Sequence, residues 1–236
     1  MSDKEVTQEE PVEEAAPTRA LMFVLEDLAF DVHEIMFSTL KKLLKDREIE
    51  LTQALFSAHF VSGRIEKNVP HLLRAVGRER LSEEKLIAEI NEAVPAAILA
   101  QTAQSGLKTM VNKLRNADVA VGAISMLSDE QADAIIEKAG LEELIDGVIC
   151  CGHSGPALPA AESWWRLVRT LSIKPVRSVT VSSTAAAMRA SLKTGARAFV
   201  LESKYTECQD FGGADAVASS LKDLQSSVKD WLDTAG

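Results

Sequence analysis

Ala20-Leu-Met-Phe-Val-Leu-Glu-Asp-Leu-Ala-Phe-Asp31 decides the architecture of this chain. Its first half, Ala20–Leu25, is an unbroken apolar run of strand length, and such runs belong to strands covered on both faces. Glu26 and Asp27 then make a short acidic turn. From Asp31 and Val32 the pattern becomes that of an amphipathic helix, so the segment reads strand, turn, helix.

The same grammar recurs along the chain. Val119–Ile124, Gly147–Cys151, Ser178–Val181 and Ala198–Leu201 are further short apolar runs, separated by helical stretches. That alternation predicts βαβ units and an α/β fold with a mostly parallel sheet. The gap between the first two runs is too long for a simple crossover. Residues 34–104 are mainly helical: Ile35, Met36, Leu40 and Leu43 share one face, His71–Val76 follows, and Leu86–Ile98 comes after the N-cap residue Ser82. We read them as a helical cap inserted after the first strand, with 19–33 and 105–236 as the core and 1–18 as a tail. Gly106-Leu-Lys-Thr-Met-Val-Asn-Lys-Leu114 returns the chain to the core. Ser128 caps the next helix, which stops at Gly140. Near the C-terminus Val217, Leu221, Leu224, Val228 and Trp231 form a stripe that packs on the sheet.

Charge narrows the partners. The 236 residues carry a net charge of −9, which repels nucleic acid. Much of it lies in the tail, where Asp3, Glu5, Glu9, Glu10, Glu13 and Glu14 face only Lys4 and the apolar periodicity is absent, so the tail reads as disordered and solvating. No stretch reaches the ~20 apolar residues that span a bilayer, and the N-terminus lacks the basic-then-apolar pattern of a signal peptide. A cytoplasmic protein without membrane partners is expected. Three cysteines, Cys150, Cys151 and Cys208, suit a reducing compartment. Cys150, Cys151 and His153 match no common zinc spacing, and no metal is expected there.

From Ala20 to about Leu232 the chain resembles the haloacid dehalogenase (HAD) superfamily, in its phosphoglycolate phosphatase and β-phosphoglucomutase-like branch. The resemblance implies a Rossmann-like parallel sheet with an inserted helical cap, and it rests on motif order. The family's first strand ends in Asp, any residue, Asp, Gly, with a further Asp opening the cap helix. Asp31 matches that last aspartate, which puts Val24 in the nucleophile's place, Glu26 in that of the acid/base aspartate and Asp27 in that of the glycine. Val121-Gly-Ala-Ile-Ser125 matches the second motif, a strand ending in Ser or Thr. Leu158-Pro-Ala-Ala-Glu162 stands where the branch reads Lys-Pro-x-Pro-Asp, so its lysine falls on Leu158. The magnesium-holding acidic pair after a later strand has become Ser182 and Ser183, and Gly213-Ala-Asp-Ala-Val217 resembles the late strand-and-turn segment.

In such proteins one carboxylate forms an aspartyl-phosphate while a second protonates the leaving oxygen, with magnesium and the lysine neutralising the phosphate. Val24 has no lone pair to attack with. Enzymatic rate enhancement requires about 8–23 kcal/mol of barrier lowering, which Ser125 and a displaced acid cannot supply by hydrogen bonding. A phosphate ~4 Å from one uncompensated carboxylate would be repelled by several kcal/mol at an effective dielectric near ~20. No catalytic residue, magnesium or other cofactor is therefore expected, although active relatives use magnesium. Glu26, Asp27, His33, Ser125 and Ser183 remain candidates for ligand contact.

Each has a plainer reading beside it. Val24 is a buried strand residue, Glu26 and Asp27 form a solvated strand-end turn, Ser125 meets backbone amides, Ser182, Ser183 and Thr184 cap the Ala-rich helix, and His33 packs at a hinge. Trp164 and Trp165 sit about 100° apart on one helix, so one of them should be exposed. The expectation for function is a catalytically inactive HAD-like binding, scaffolding or regulatory module acting through another protein or self-association. The alternative is a HAD-like hydrolase with relocated catalytic residues.

Overall fold

A computed structural model of the chain describes residues 18–61, 64–152 and 159–234. β1 (Arg19–Val24) lies inside a sheet that also contains β2 (Val119–Ser125), β3 (Gly147–Cys150), β4 (Ser178–Ser182), β5 (Arg197–Leu201) and β6 (Ala216–Ala218). Their order is β3-β2-β1-β4-β5-β6, and every pairing is parallel. β6 is the strand within the segment around Gly213–Val217. The polar residues 1–17, together with His153 and Leu158, lie outside the described residues.

Alternation along β1 explains why its apolar run is unbroken. Leu21 and Phe23 join one buried cluster with α6 (Leu107–Arg115), α7 (Asp129–Ala139) and α10 (Leu221–Thr234), whose stripe Leu221, Leu224, Val228 and Trp231 is buried there. Ala20, Met22 and Val24 point to the opposite face, against Trp164, Leu167 and Leu171 of or just after α8 (Ala161–Thr170). Both faces are covered, so a polar residue anywhere along the strand would lose water without gaining a partner. Gly122 of β2 admits α8 closely: a Cβ there would stand 2.8 Å from the ends of Leu167 and Leu171. Trp164 is fully buried and its neighbour Trp165 is 37% exposed.

Between β1 and α6 run α1 (Leu25–Ala29), α2 (Val32–Lys45), α3 (Gln53–His59), α4 (Ile65–Ala75) and α5 (Glu83–Leu99). Helices α2 to α5 bury a cluster of their own, including Leu40, Phe56, Leu72, Leu86 and Ile90. Tyr205, from the loop after β5, enters it and packs on the rings of Phe37 and Phe56 at 5.2 and 4.9 Å. Side-chain caps start these helices where the sequence supplies them: Asp31 accepts from the Glu34 amide, Thr52 from Leu55 and Ser82 from Lys85. Among the described residues no helix is long and apolar enough to cross a membrane.

Candidate functional site

The carboxyl ends of β1, β2 and β4 converge where strand order reverses, the place at which open α/β sheets form crevices. Val24 closes β1 beside Ile124 and is 3% exposed. The acidic residues that follow are not in a solvated turn. They lie in α1, which starts as soon as β1 ends and folds Glu26 back under the sheet edge, leaving it 3% exposed.

Glu26 is held by its neighbour strand. Its Oε1 accepts a hydrogen bond from Ser125 Oγ at 2.5 Å and another from the Met126 amide at 3.1 Å. Ser125 Oγ in turn accepts from the Leu127 amide at 3.1 Å, and Ser128 opens α7 with a reciprocal capping box to Gln131. Oε2 of Glu26 has no partner among the described residues. Burial raises this carboxyl from 4.5 to about 7, against the opposing pull of the Ser125 hydroxyl. Gly152, after β3, runs so close to the Leu127–Ser128 main chain that a Cβ would meet Ser128 N at 2.6 Å.

On the other side of β1, Asp27 turns toward β4 and its Oδ2 accepts from the Ser183 amide at 2.8 Å. Burial raises Asp27 and His33 pulls it back down; burial likewise lowers His33, which Asp27 raises. His33 is buried, and its Nδ1 shares a hydrogen bond with Ser203 Oγ at 3.2 Å. Ser182 belongs to β4 rather than to a cap, and Thr184 alone of the three hydroxyl residues caps α9 (Ala185–Leu192), accepting from the Ala187 amide. Ser183 is buried with its hydroxyl unpartnered.

Thus Glu26 and Ser125 meet, Asp27 and Ser183 meet through the latter's backbone, and His33 stands beside Asp27. Sequence reasoning missed the network beyond His33. Tyr205 donates to Glu34 at 2.9 Å, Lys204 pairs with the same carboxylate at 2.7 Å, and Ser203 reaches His33. Only one signal pointed there: Tyr205 is the chain's sole tyrosine.

A cleft of about 500 Å³ opens between these strand ends and the facing helices. Val24, Met36, Ile65, Ile90 and Val94 contribute apolar walls, and Glu26, Asp27 and Glu66 contribute carboxyl groups. Neither lysine nor arginine lines it among the described residues. A second hollow, about 380 Å³, shares Asp27, Val32 and His33 with the first and has Ser183 in its wall. Its one cationic side chain, Lys204, is committed to Glu34.

The side chains do not fit a magnesium ion, which prefers freely available carboxylate oxygens in octahedral array. Glu26 Oε1 and Asp27 Oδ2 are engaged by protein donors, and the positions matched to the family's acidic pair carry hydroxyls. Among the described residues no three His, Cys, Asp or Glu side chains group so as to hold a metal. Cys150 is pushed up to about 12 by burial and by Asp129, so it carries a thiol and not a thiolate; Cys151 is engaged with Ser163 Oγ at 3.3 Å.

No family model matches the sequence, and no curated protein does. Solved structures do match. A β-phosphoglucomutase from Clostridium difficile superposes with a TM-score of 0.71 over 92% of this chain and 98% of its own, at 14% identity. A HAD family hydrolase from Deinococcus radiodurans with bound phosphate and sodium gives 0.70 over 92% and 97%, at 20% identity. CbbY from Rhodobacter sphaeroides in complex with phosphate gives 0.67 over 87% and 95%, at 16% identity. The fold is therefore HAD-like along nearly the whole chain, with its six-stranded parallel sheet and helical region before β2.

Proposed function

We propose that this chain is a HAD-like protein that binds without phosphoryl transfer, serving in the cytoplasm as a scaffolding or regulatory module for another protein or a second copy of itself. One observation carries the reading. The end of β1, where a nucleophilic carboxylate would have to stand, is the buried aliphatic Val24, while the nearest carboxylates are turned sideways into hydrogen bonds with β2 and β4. An attacking oxygen must be reachable and in line with the phosphorus; Val24 offers none, and Glu26 and Asp27 are each fixed sideways through one oxygen. The helical region from α2 to α5 is, on this reading, a cap kept for the surface it presents.

The test is phosphate release by the purified chain with magnesium, from p-nitrophenyl phosphate and from sugar phosphates. No release above buffer is expected. Release that disappears in Glu26→Gln would overturn the reading. Restoring Val24→Asp, Leu158→Lys and Ser183→Asp together should create magnesium affinity; indifference of the triple variant would mean the motif register is misassigned.

A relocated hydrolase is the second reading, favoured by a carboxyl near 7 hydrogen-bonded to a serine. Against it, Ser125 is fully buried and does not line the cleft. Hydrolysis of a carboxylic ester such as p-nitrophenyl acetate, lost in Ser125→Ala, would establish it in place of the first.

A further inference from the structure

Charge along this chain is segregated. From Ser163 to Leu201 it has seven lysines and arginines and no aspartate or glutamate, although the whole chain carries a net charge of −9. Folding gathers four of the seven at one edge of the sheet. Lys174 and Arg177 lie in the loop that enters β4, and Lys193 and Arg197 bound the turn from α9 into β5. Because β4 and β5 are neighbouring parallel strands, both loops meet at the sheet's amino-terminal edge. All four side chains are exposed, and none makes an ion pair among the described residues. Asp215, in the approach to the next strand β6, is already engaged, its carboxylate accepting from the Ala198 amide at 2.9 Å. Val176, between Lys174 and Arg177, is 72% exposed, more than any other large apolar side chain among the described residues.

Unpaired cations clustered on an acidic chain attract an acidic partner, and connectivity supplies one. Residues 1–17, outside the described residues, carry Asp3, Glu5, Glu9, Glu10, Glu13 and Glu14 against Lys4. They join the molecule at Thr18, just before β1, and the pairing of Ala20 with Ser178 sets Arg19 beside Arg177 in strands ~4.8 Å apart. Arg19 itself is committed to the carbonyls of Ala117 and Leu232. A segment of this length can span up to ~55 Å, so its acids reach all four cations. We propose that Lys174, Arg177, Lys193 and Arg197 form an interaction face for an acidic polypeptide segment, and that its occupant is the chain's own residues 1–17. One exposed ion pair contributes little, but neighbouring cations act together and a short tether supplies an effective concentration on the order of millimolar. The contact keeps other acidic segments off the face until they displace it. The cleft opens at the carboxyl ends of the strands, the opposite edge of the sheet, so the inference stands apart from the proposed function.

Amide spectra of the nitrogen-15-labelled full chain test the contact against a tail variant carrying Glu9→Gln, Glu10→Gln, Glu13→Gln and Glu14→Gln together. At about 0.05 M salt the two proteins should differ at the amides of Lys174, Arg177, Lys193 and Arg197 and coincide along α3 and α4; at about 0.5 M salt the differences should vanish. Identical spectra at low salt overturn the inference. Differences that appear only as protein concentration is raised would seat the tail of a second copy there and overturn the assignment to the chain's own. A short fluorescein-labelled polyglutamate peptide, followed by anisotropy, reads the face directly. It should bind the tail variant about tenfold more tightly than wild type, because the tethered competitor is gone. Adding Lys174→Gln, Arg177→Gln, Lys193→Gln and Arg197→Gln to the tail variant should abolish that binding; these exposed substitutions leave the core untouched. Equal affinity for wild type and tail variant, no binding to the tail variant, or binding that survives loss of the four cations overturns the inference.

Discussion

The two sides of β1 handle the same problem, a carboxyl group at the end of a buried strand, in different ways. Toward β2, Glu26 lies almost wholly out of solvent and is met by a serine hydroxyl and a backbone amide, with one oxygen left over. Toward β4 and β5, Asp27 is half-buried and takes an amide from Ser183, while the neighbouring His33 leads into a chain of polar contacts through Ser203 to the loop that also holds Lys204 and Tyr205. Glu26 is nearly sealed from solvent in the wall of the larger cleft, whereas Asp27 borders both that cleft and a polar hollow. Desolvation is the largest influence on both acids, and what separates them is His33, which pulls Asp27 back down and has no counterpart beside Glu26, although both follow directly after the same strand.

The largest expected effect tests that dominance through pH. Glu26 sits at about 7 folded against an ordinary value of 4.5, so between those values the folded state holds a proton that the unfolded state has released. Its contribution to stability is full below about pH 4.5 and is lost as pH rises through about 7. The change is on the order of 3 kcal/mol for this buried group. Glu26→Gln removes it. In urea denaturation at about pH 5 and about pH 8, the stability of wild type relative to Glu26→Gln should fall by that amount at the higher pH. A difference between the two proteins that does not vary with pH would show that Glu26 is solvated like an ordinary surface acid.

Much of this molecule was legible in its sequence, and the unreadable part has a common physical origin. β1 to β5 announce themselves as short apolar runs because both sheet faces are covered, and α7 announces itself through Ser128 and Gly140. Local rules suffice for such elements. The acidic pair after β1 reads as solvated because acidic residues at strand ends usually are, and the donors that make burial of Glu26 tolerable, Ser125 and the Met126 amide, lie about a hundred positions away. Val24 and Ser183 were placed by motif register; both are buried, Val24 as the last residue of β1 and Ser183 just after β4. Tyr205 and Glu34 are 171 positions apart, and no local pattern links them.

A serine pair sharpens the same comparison at intermediate size. Ser125→Ala deletes the only side-chain donor to Glu26 among the described residues and the acceptor of the Leu127 amide, so it should cost about 2 kcal/mol at neutral pH and push the Glu26 titration higher still. Ser183→Ala deletes a hydroxyl that lies near the Asp27 carboxylate without a well-formed hydrogen bond, while the Ser183 amide still serves Asp27, so it should cost no more than about 0.5 kcal/mol. Midpoints of urea unfolding at constant slope measure both. Equal losses would mean that the two sides of β1 are alike after all.

The smallest effect belongs to the polar side, at Tyr205. Its ring is buried between Phe37 and Phe56, and its hydroxyl donates from the loop after β5 to Glu34 of α2, beside the contacts that Ser203 and Lys204 make to the same helix. Burial, then the hydrogen bond to Glu34, pushes the phenol up to about 12, so it is a neutral donor at any ordinary pH. Tyr205→Phe keeps the aromatic contacts and removes the donor. Glu34 is not stranded, because its side chain is 42% exposed and Lys204 and Ser38 still reach it. The loss should therefore stay near 1 kcal/mol, within the usual net value of one hydrogen bond. A double-mutant cycle with Glu34→Gln should recover most of it as coupling between the two residues. A loss several times larger, with no coupling, would mean that the ring and not the hydroxyl had been disturbed, and that the helices are held to the β5 edge by packing alone.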